Sequence, residues 1–275
     1  MNDRNPKDKI FNLGRCMVHF AADTTQVYMA GSLANKSTAF FPFNKGLNEG
    51  KPFKPFGAGN PVNPNGMKTA YLWEEVLTKS SLSNIIEKFA TLIEEKDKKT
   101  GKIKRKQIFP RYHQFTSVKQ LLHDSKRNGV GGRYLIQHSA GSGKSNSITW
   151  LVLQLVSLYD KSNTSPLFDS IIMVTYRKVL DEQLRKNIKA FAQVKKVVEA
   201  ITGEARDIKA LDPEEDSFTK TTHMRLALAN NKKIITCTVQ TFPFVLKTVQ
   251  DMSSKKGAIV IEEHIAVKAG KRLPA

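Results

Sequence analysis

The chain has 275 residues, 40% of them hydrophobic, and 44 Lys and Arg against 25 Asp and Glu give it a net charge of +19. That length holds one large domain or two small ones, and the excess of positive charge favours a polyanionic partner, nucleic acid first. Cys16 and Cys237 lie too far apart to suggest a disulfide framework or a metal cluster. With no apolar run of membrane-spanning length and no signal-peptide core, the expectation is a soluble, cytoplasmic chain with no membrane partner.

Residues 1–66 read as a small β-rich piece with loops. Cys16-Met-Val-His-Phe-Ala21 and Val27-Tyr-Met-Ala30 flank a polar turn around Asp23, Thr24, Thr25 and Gln26, the pattern of a hairpin. Beyond Phe43 the chain is rich in Gly, Pro and Asn as far as Gly66, which is loop composition. Residues 67–106 read as a helical connector. Tyr71, Leu72, Val76 and Leu77 recur at helical spacing, as do Leu82, Ile85, Ile86, Phe89 and Ile93. The basic run from Lys96 to Lys106 then reads as a solvated linker.

From 107 to 275 strands and helices alternate. The pattern predicts strands near 133–138, 170–175, 196–201, 233–238 and 258–262, and helices near 116–127, 144–159, 178–190, 219–229 and 240–249. Apolar, β-rich runs such as Ser170-Ile-Ile-Met-Val-Thr175 and Lys233-Ile-Ile-Thr-Cys-Thr238 suit a parallel sheet covered on both faces, so the predicted class is α/β.

The motif with the most chemical content is Gln137-His-Ser-Ala-Gly-Ser-Gly-Lys-Ser145. Read as strand, glycine-bearing turn and helix start, it is a phosphate-binding loop. Ser139, Gly141, Ser142 and Gly143 let backbone N–H groups close on phosphates, Lys144 reaches the β and γ oxygens, and the Ser145 hydroxyl holds Mg²⁺. The helix start adds its positive end to the anion site. His138 stands where the strict motif has its first glycine. About thirty residues upstream, Gln114 offers an amide to an adenine edge, and Arg111 or Tyr112 a surface for its ring.

Strand ends supply the remaining candidates. Thr175, Arg177 and Lys178 after the second strand, and Thr238 and Gln240 after the fourth, suit contact with a nucleic-acid backbone. The last strand, Gly257-Ala-Ile-Val-Ile-Glu-Glu263, ends in two carboxylates. Glu262 fits a Mg²⁺ ligand and Glu263 a group that activates the attacking water.

Several stretches together resemble the restriction and motor subunit of type I restriction-modification enzymes. They are Arg15-Cys-Met-Val-His-Phe-Ala21, Val27-Tyr-Met29, Phe41-Pro-Phe-Asn-Lys-Gly46, Gly57-Ala-Gly-Asn-Pro61, Thr69-Ala-Tyr-Leu-Trp-Glu-Glu75, Ile108-Phe-Pro-Arg-Tyr-His-Gln114, Tyr134–Ser147 around the phosphate loop, and Phe242-Pro-Phe-Val-Leu246. The loop's His-Ser-Ala-Gly-Ser-Gly-Lys-Ser form is similar to the family's own variant, which accounts for His138.

The resemblance implies an ATP- and Mg²⁺-dependent, superfamily 2 motor on duplex DNA, built from RecA-like parallel-sheet lobes behind a PD-(D/E)xK nuclease. By it, residues 1–66 are the end of the nuclease domain and 107–275 the first RecA-like lobe. Lys144, Ser145 and Gln114 serve the nucleotide, while Thr175, Arg177 and Thr238 fall on DNA-contacting motifs. The partners implied are the methyltransferase and specificity subunits. Tyr176 departs from the family's usual Asp. The nuclease carboxylates and the second lobe are expected to lie outside this chain, which then reads as a truncated portion, inactive alone. The residues after Glu263 depart from the family's acidic motif, as a one-nucleotide deletion near that codon would produce. A stand-alone regulator binding ATP and DNA, or a non-functional gene remnant, are the alternative readings.

Overall fold

The computed structural model describes residues 5, 7–46, 59–96, 101, 103–139, 141–176, 178–192, 198–241 and 259–263. The chain forms two compact units. One comprises residues 1–121 with 136–150, the other residues 122–135 with 151–275. The segments expected at 1–66 and 67–106 both fall in the first unit, together with the phosphate loop.

The first unit opens with the predicted hairpin. β1 (His19–Ala22) and β2 (Val27–Ala30) pair antiparallel from His19↔Ala30 to Ala22↔Val27, and the short β3 (Phe41–Pro42) joins the other edge of β2. Asp23 makes the turn. Its Oδ1 accepts from the Thr25 N–H (2.6 Å), the Thr25 hydroxyl (2.7 Å) and the Gln26 N–H (2.8 Å). The loop that returns to the hairpin is tied by Asn60, only 3% exposed. Its Oδ1 accepts from the Lys45 N–H (2.8 Å), and its Nδ2 donates to Thr25 O (3.0 Å) and Asn44 Oδ1 (2.9 Å).

A π-helical turn at Leu72–Val76 and α1 (Lys79–Lys88) replace the longer helical stretch predicted from apolar spacing. The helix stops early because Thr91–Lys96 is a strand, β4, paired antiparallel with β5 (Ile103–Ile108). Within the basic run expected as a linker, Lys96 therefore ends β4 and Ile103 to Lys106 lie on β5, the arms of a second hairpin. One described charge pair across the ladder, Glu94 with Arg105, favours the strand. The register sets Glu94 opposite Arg105 and Glu95 opposite Lys104, and Arg105 Nε donates to Glu94 Oε1 at 2.8 Å.

An aromatic core then binds this unit. Phe20 meets Phe43 and Phe109 edge-on, and Tyr112 meets Phe43 and Tyr71 in the same way. Tyr112 opens α2 (Tyr112–Asn128), and Trp150 lies on α3 (Lys144–Val156). Phe89 packs on both Phe115 and Trp150, with ring centroids 5.3 and 5.6 Å apart. The fully buried Trp150 donates its Nε1–H to Phe89 O at 2.9 Å, anchoring the helix that follows the phosphate loop.

The second unit holds a four-stranded parallel sheet in the order β7-β8-β6-β9, with β6 at Ile171–Thr175, β7 at Val198–Ala200, β8 at Ile234–Thr238 and β9 at Ile259–Glu263. Every residue of β6 is buried, as are Ile234 to Cys237 of β8, the burial expected of strands covered on both faces. α4 (Lys178–Ala192), α5 (Ala205–Lys209) and α6 (Lys220–Ala229) link these strands. Ile172, Val174, Ile235 and Cys237 pack with Ile201, Met224 and Ala227 in its core. The helix predicted at 240–249 lies outside the described residues beyond the turn at 239–241. No described helix is long and apolar enough to cross a membrane.

One predicted strand is corrected. Residues 133–138 form no regular element, and Leu135 is 93% exposed. An apolar run becomes a strand only through a ladder that satisfies its backbone, and no described strand pairs with this one.

Candidate nucleotide site and strand-end residues

The phosphate loop lies in the first unit, between an irregular segment and α3. Gly141 and Gly143 take φ values of +73° and +85°, which L side chains rarely adopt. Gly143 also has no room for a side chain, since a Cβ there would lie 2.4 Å from Gln114 Nε2. An α-helix leaves its first N–H groups without intrahelical partners, so the start of α3 presents donors to an anion. The buried hydroxyls of Ser142 and Ser147 have no hydrogen-bond partner among the described residues. These features fit a polyphosphate. Lys144 turns back on the loop, donating to His138 O (3.3 Å) and Ser139 O (3.1 Å), a position from which its ammonium can move to an incoming phosphate. Ser145 follows, half-buried, with its carbonyl accepting from the Thr149 hydroxyl at 2.8 Å.

Gln114 is brought directly against this loop. It is 3% exposed, and its Nε2 donates to Gly143 O (2.9 Å) and Ser142 O (3.3 Å) while its Oε1 accepts from the Arg111 N–H (2.9 Å). Both amide protons are thus committed to the loop. What the side chain retains for an adenine is a second lone pair on Oε1. The two ring-stacking candidates are engaged elsewhere. Arg111 lies over the Phe41 ring at 5.7 Å, and Tyr112 packs in the aromatic core.

Two histidines frame the loop. His113, not singled out by the sequence reading although it adjoins Gln114, sits 3.1 Å from Ser142 O through Nε2, so that nitrogen carries the donated proton. Its ring meets that of His138 edge-on, with centroids 5.0 Å apart. Burial pulls the His113 pKa down to about 4, with the charges of His138 and Arg111 adding to the effect. Burial, then the Lys144 ammonium, lowers that of His138. Both rings are therefore neutral near pH 7, which leaves Lys144 as the cation of the loop.

The other candidates belong to the second unit. Glu262 and Glu263 end β9, where the register places them beside Val174 and Thr175. Lys178 opens α4, and Arg177 lies outside the described residues. Thr175, proposed from the sequence as a DNA contact, lies inside the sheet. It pairs with Thr238 and Glu263 between β8 and β9 and is 1% exposed. The departing residue, Tyr176, is 54% exposed.

Thr238 and Gln240 are accessible at the carboxyl end of β8. The Thr238 hydroxyl lies 3.3 Å from that of Thr241, to which Lys220 Nζ donates at 3.4 Å. Lys220 opens α6 behind the Thr219 cap and was missed in the sequence, where only the Thr-Lys pair at a predicted helix start hinted at it. It sits against the Thr202-Gly203 turn. Gly203 has φ +78°, and a Cβ there would come within 3.0 Å of Lys220 N and Cγ. The amides of Thr202 and Gly203 donate to Nδ1 of the fully buried His223 at 3.4 and 3.3 Å. His223 Nε2–H in turn donates to Glu199 at 3.2 Å. One hydrogen-bonded framework therefore fixes this edge of the sheet.

A family model described as SWI2/SNF2 ATPase matches residues 113–264, more than half of the chain. The matched span begins next to Gln114 and ends just past β9. No curated protein and no solved structure shows a match.

Proposed function

This chain belongs to the SWI2/SNF2 ATPase family, and from that premise we propose that it is the ATP-binding motor portion of a DNA translocase, the restriction subunit of a type I restriction-modification system. The observation that carries the nucleotide site is the interlocking of Gln114 with Gly143, because it joins the adenine candidate and the phosphate loop in one rigid piece. The residue series from Arg15 to Leu246 that resembles type I subunits supports the finer assignment. It also implies duplex DNA, methyltransferase and specificity subunits as partners, and a cytoplasmic location.

Bound ATP with Mg²⁺ supplies the anhydride whose cleavage drives such a motor. The chain's own groups bind and orient it. Lys144 would exchange its carbonyl partners for the β and γ oxygens, the amides at the start of α3 would hold the phosphates, and Ser145 would offer its hydroxyl to the metal. By their place at a strand end in the sequence, Glu262 would be a metal ligand and Glu263 would orient the attacking water, roles proposed from β9 alone. On the DNA side, Thr238 and Gln240 serve the backbone, and Lys220 supplies the cation beside them.

Titration with a fluorescent ATP analogue tests the nucleotide site. Lys144→Ala weakens binding tenfold or more, about 1.4 kcal/mol, and equal affinities of the two proteins would remove the reading. Phosphate release stimulated by duplex DNA separates a motor from a regulator that binds without turnover.

A further inference from the structure

The second unit carries a cavity of about 360 Å³ away from the strand ends discussed above, lined by Leu122, His123, Lys126, Arg127, Leu158 and Lys161. Its walls come from the last turns of α2 and from the loop that follows α3. That loop is well built. Leu167 N–H donates to Leu158 O (2.8 Å) and Asp160 N–H to Ser165 O (3.0 Å), closing its base. Asp160 gathers its tip, accepting from the hydroxyls of Ser162 and Ser165 (2.9 Å each) and from the Thr164 N–H (3.0 Å). Lys126 Nζ donates to Asn163 Oδ1 at 3.1 Å, which ties α2 to the loop. The surface is thus held in shape before anything binds it.

Its chemistry is two-sided. Leu122 and Leu158 are only half-buried in the cavity, while His123, Arg127 and Lys161 stand exposed around them and Lys126 beside them. Among the described residues no carboxylate lines it. Asp160 is turned to its own loop, and Asp124 accepts from the Tyr134 hydroxyl and from Asn128 Nδ2 (2.8 Å). Cations in a helix's last turn answer its dipole, but that does not account for two leucines open between them. A phosphate backbone would engage the cations and leave the leucines against water. A peptide with carboxylates on either side of an apolar side chain would satisfy both.

The loop that lines the cavity also joins the sheet at the opposite end of its strands from Thr238. The loop leads into the amino end of β6, whereas Thr238 ends β8, and the two strands run parallel. We propose that this surface docks an acidic segment of a protein partner, with one apolar side chain seated between Leu122 and Leu158 and flanking Asp or Glu paired with Lys126, Arg127 and Lys161. The site is independent of the nucleotide loop.

The test uses the full chain and a fluorescein-labelled peptide in which a leucine is flanked on each side by two glutamates. A second peptide has serine in place of leucine, and a labelled DNA duplex is the third probe. The leucine peptide should bind the unaltered chain. The serine peptide, the double variant Lys126→Glu with Arg127→Glu, and the loop variant Lys161→Glu should each lower its binding about tenfold. Duplex affinity should be unchanged in both variants. Absence of peptide binding, equal binding of the serine peptide, or undiminished binding in both variants overturns the proposal. A loss of duplex affinity matching that for the peptide overturns it in favour of a nucleic-acid surface.

Discussion

Gly143→Ala combines two separable costs. The first is backbone strain, because φ is +85° and an L residue held in this left-handed region costs about 1–2 kcal/mol. The second is the clash with Gln114 Nε2, 2.4 Å from the added Cβ. A side-chain amide can usually swing away cheaply. Here it is 3% exposed and held by three hydrogen bonds, to Ser142 O, Gly143 O and the Arg111 N–H. At about 0.5–1.5 kcal/mol each, their loss adds roughly 1.5–4.5 kcal/mol. The clash is therefore expected to be at least equal to the strain. A double-mutant cycle on the affinity of a fluorescent ATP analogue separates them. Gly143→Ala alone should weaken binding about seventyfold or more, roughly 2.5 kcal/mol. In a Gln114→Ala background, where the clash is gone, the same substitution should cost about 1–2 kcal/mol. An identical cost in both backgrounds would show that Gln114 does not brace the loop, and the reasoning fails.

The remaining predictions concern the frame around this loop and the far edge of the sheet. Trp150→Ala should destabilise the first unit by about 3–5 kcal/mol, read by urea denaturation, because it empties a fully buried site and removes the shorter of two hydrogen bonds to Phe89 O; a loss below about 1 kcal/mol would contradict the packing. Burial holds His113 at about 4 against an ordinary 6.5, so the unfolded chain takes up its proton first as pH falls. Its contribution is complete above 6.5 and is lost on descending toward 4. Melting curves across that window should flatten in His113→Gln, and an unaltered slope would refute the assignment. Lys220→Ala should weaken duplex DNA binding and reduce the salt dependence by about one phosphate contact. An unchanged slope in fluorescence anisotropy across salt concentrations would remove Lys220 from the interface.

Much of the fold was legible because its signals are local. Asp23 with Thr25 and Gln26 makes a turn out of side-chain-to-backbone hydrogen bonds within three residues, so the first hairpin could be read directly. The buried runs of β6 and β8 announced covered parallel strands, since a strand enclosed on both faces needs apolar residues at successive positions. The phosphate loop was legible for a similar reason, its glycines and lysine being required within a few residues of one another.

What the sequence could not decide was whatever depends on a distant neighbour. The run from Lys96 to Lys106 looks like a solvated linker until Glu94 and Glu95 are placed across the ladder from it. Residues 133–138 have the composition of a strand but no described ladder partner, and Leu135 stands exposed. Thr175 sits at a strand end, yet strands on both sides close it from solvent. Gln114, 29 residues from Gly143, became a brace for the phosphate loop only when the aromatic core brought α2 against it. Local hydrogen bonding and residue shape act within a few positions along the chain, whereas burial, pairing and charge compensation are set by groups that only the folded backbone brings within reach.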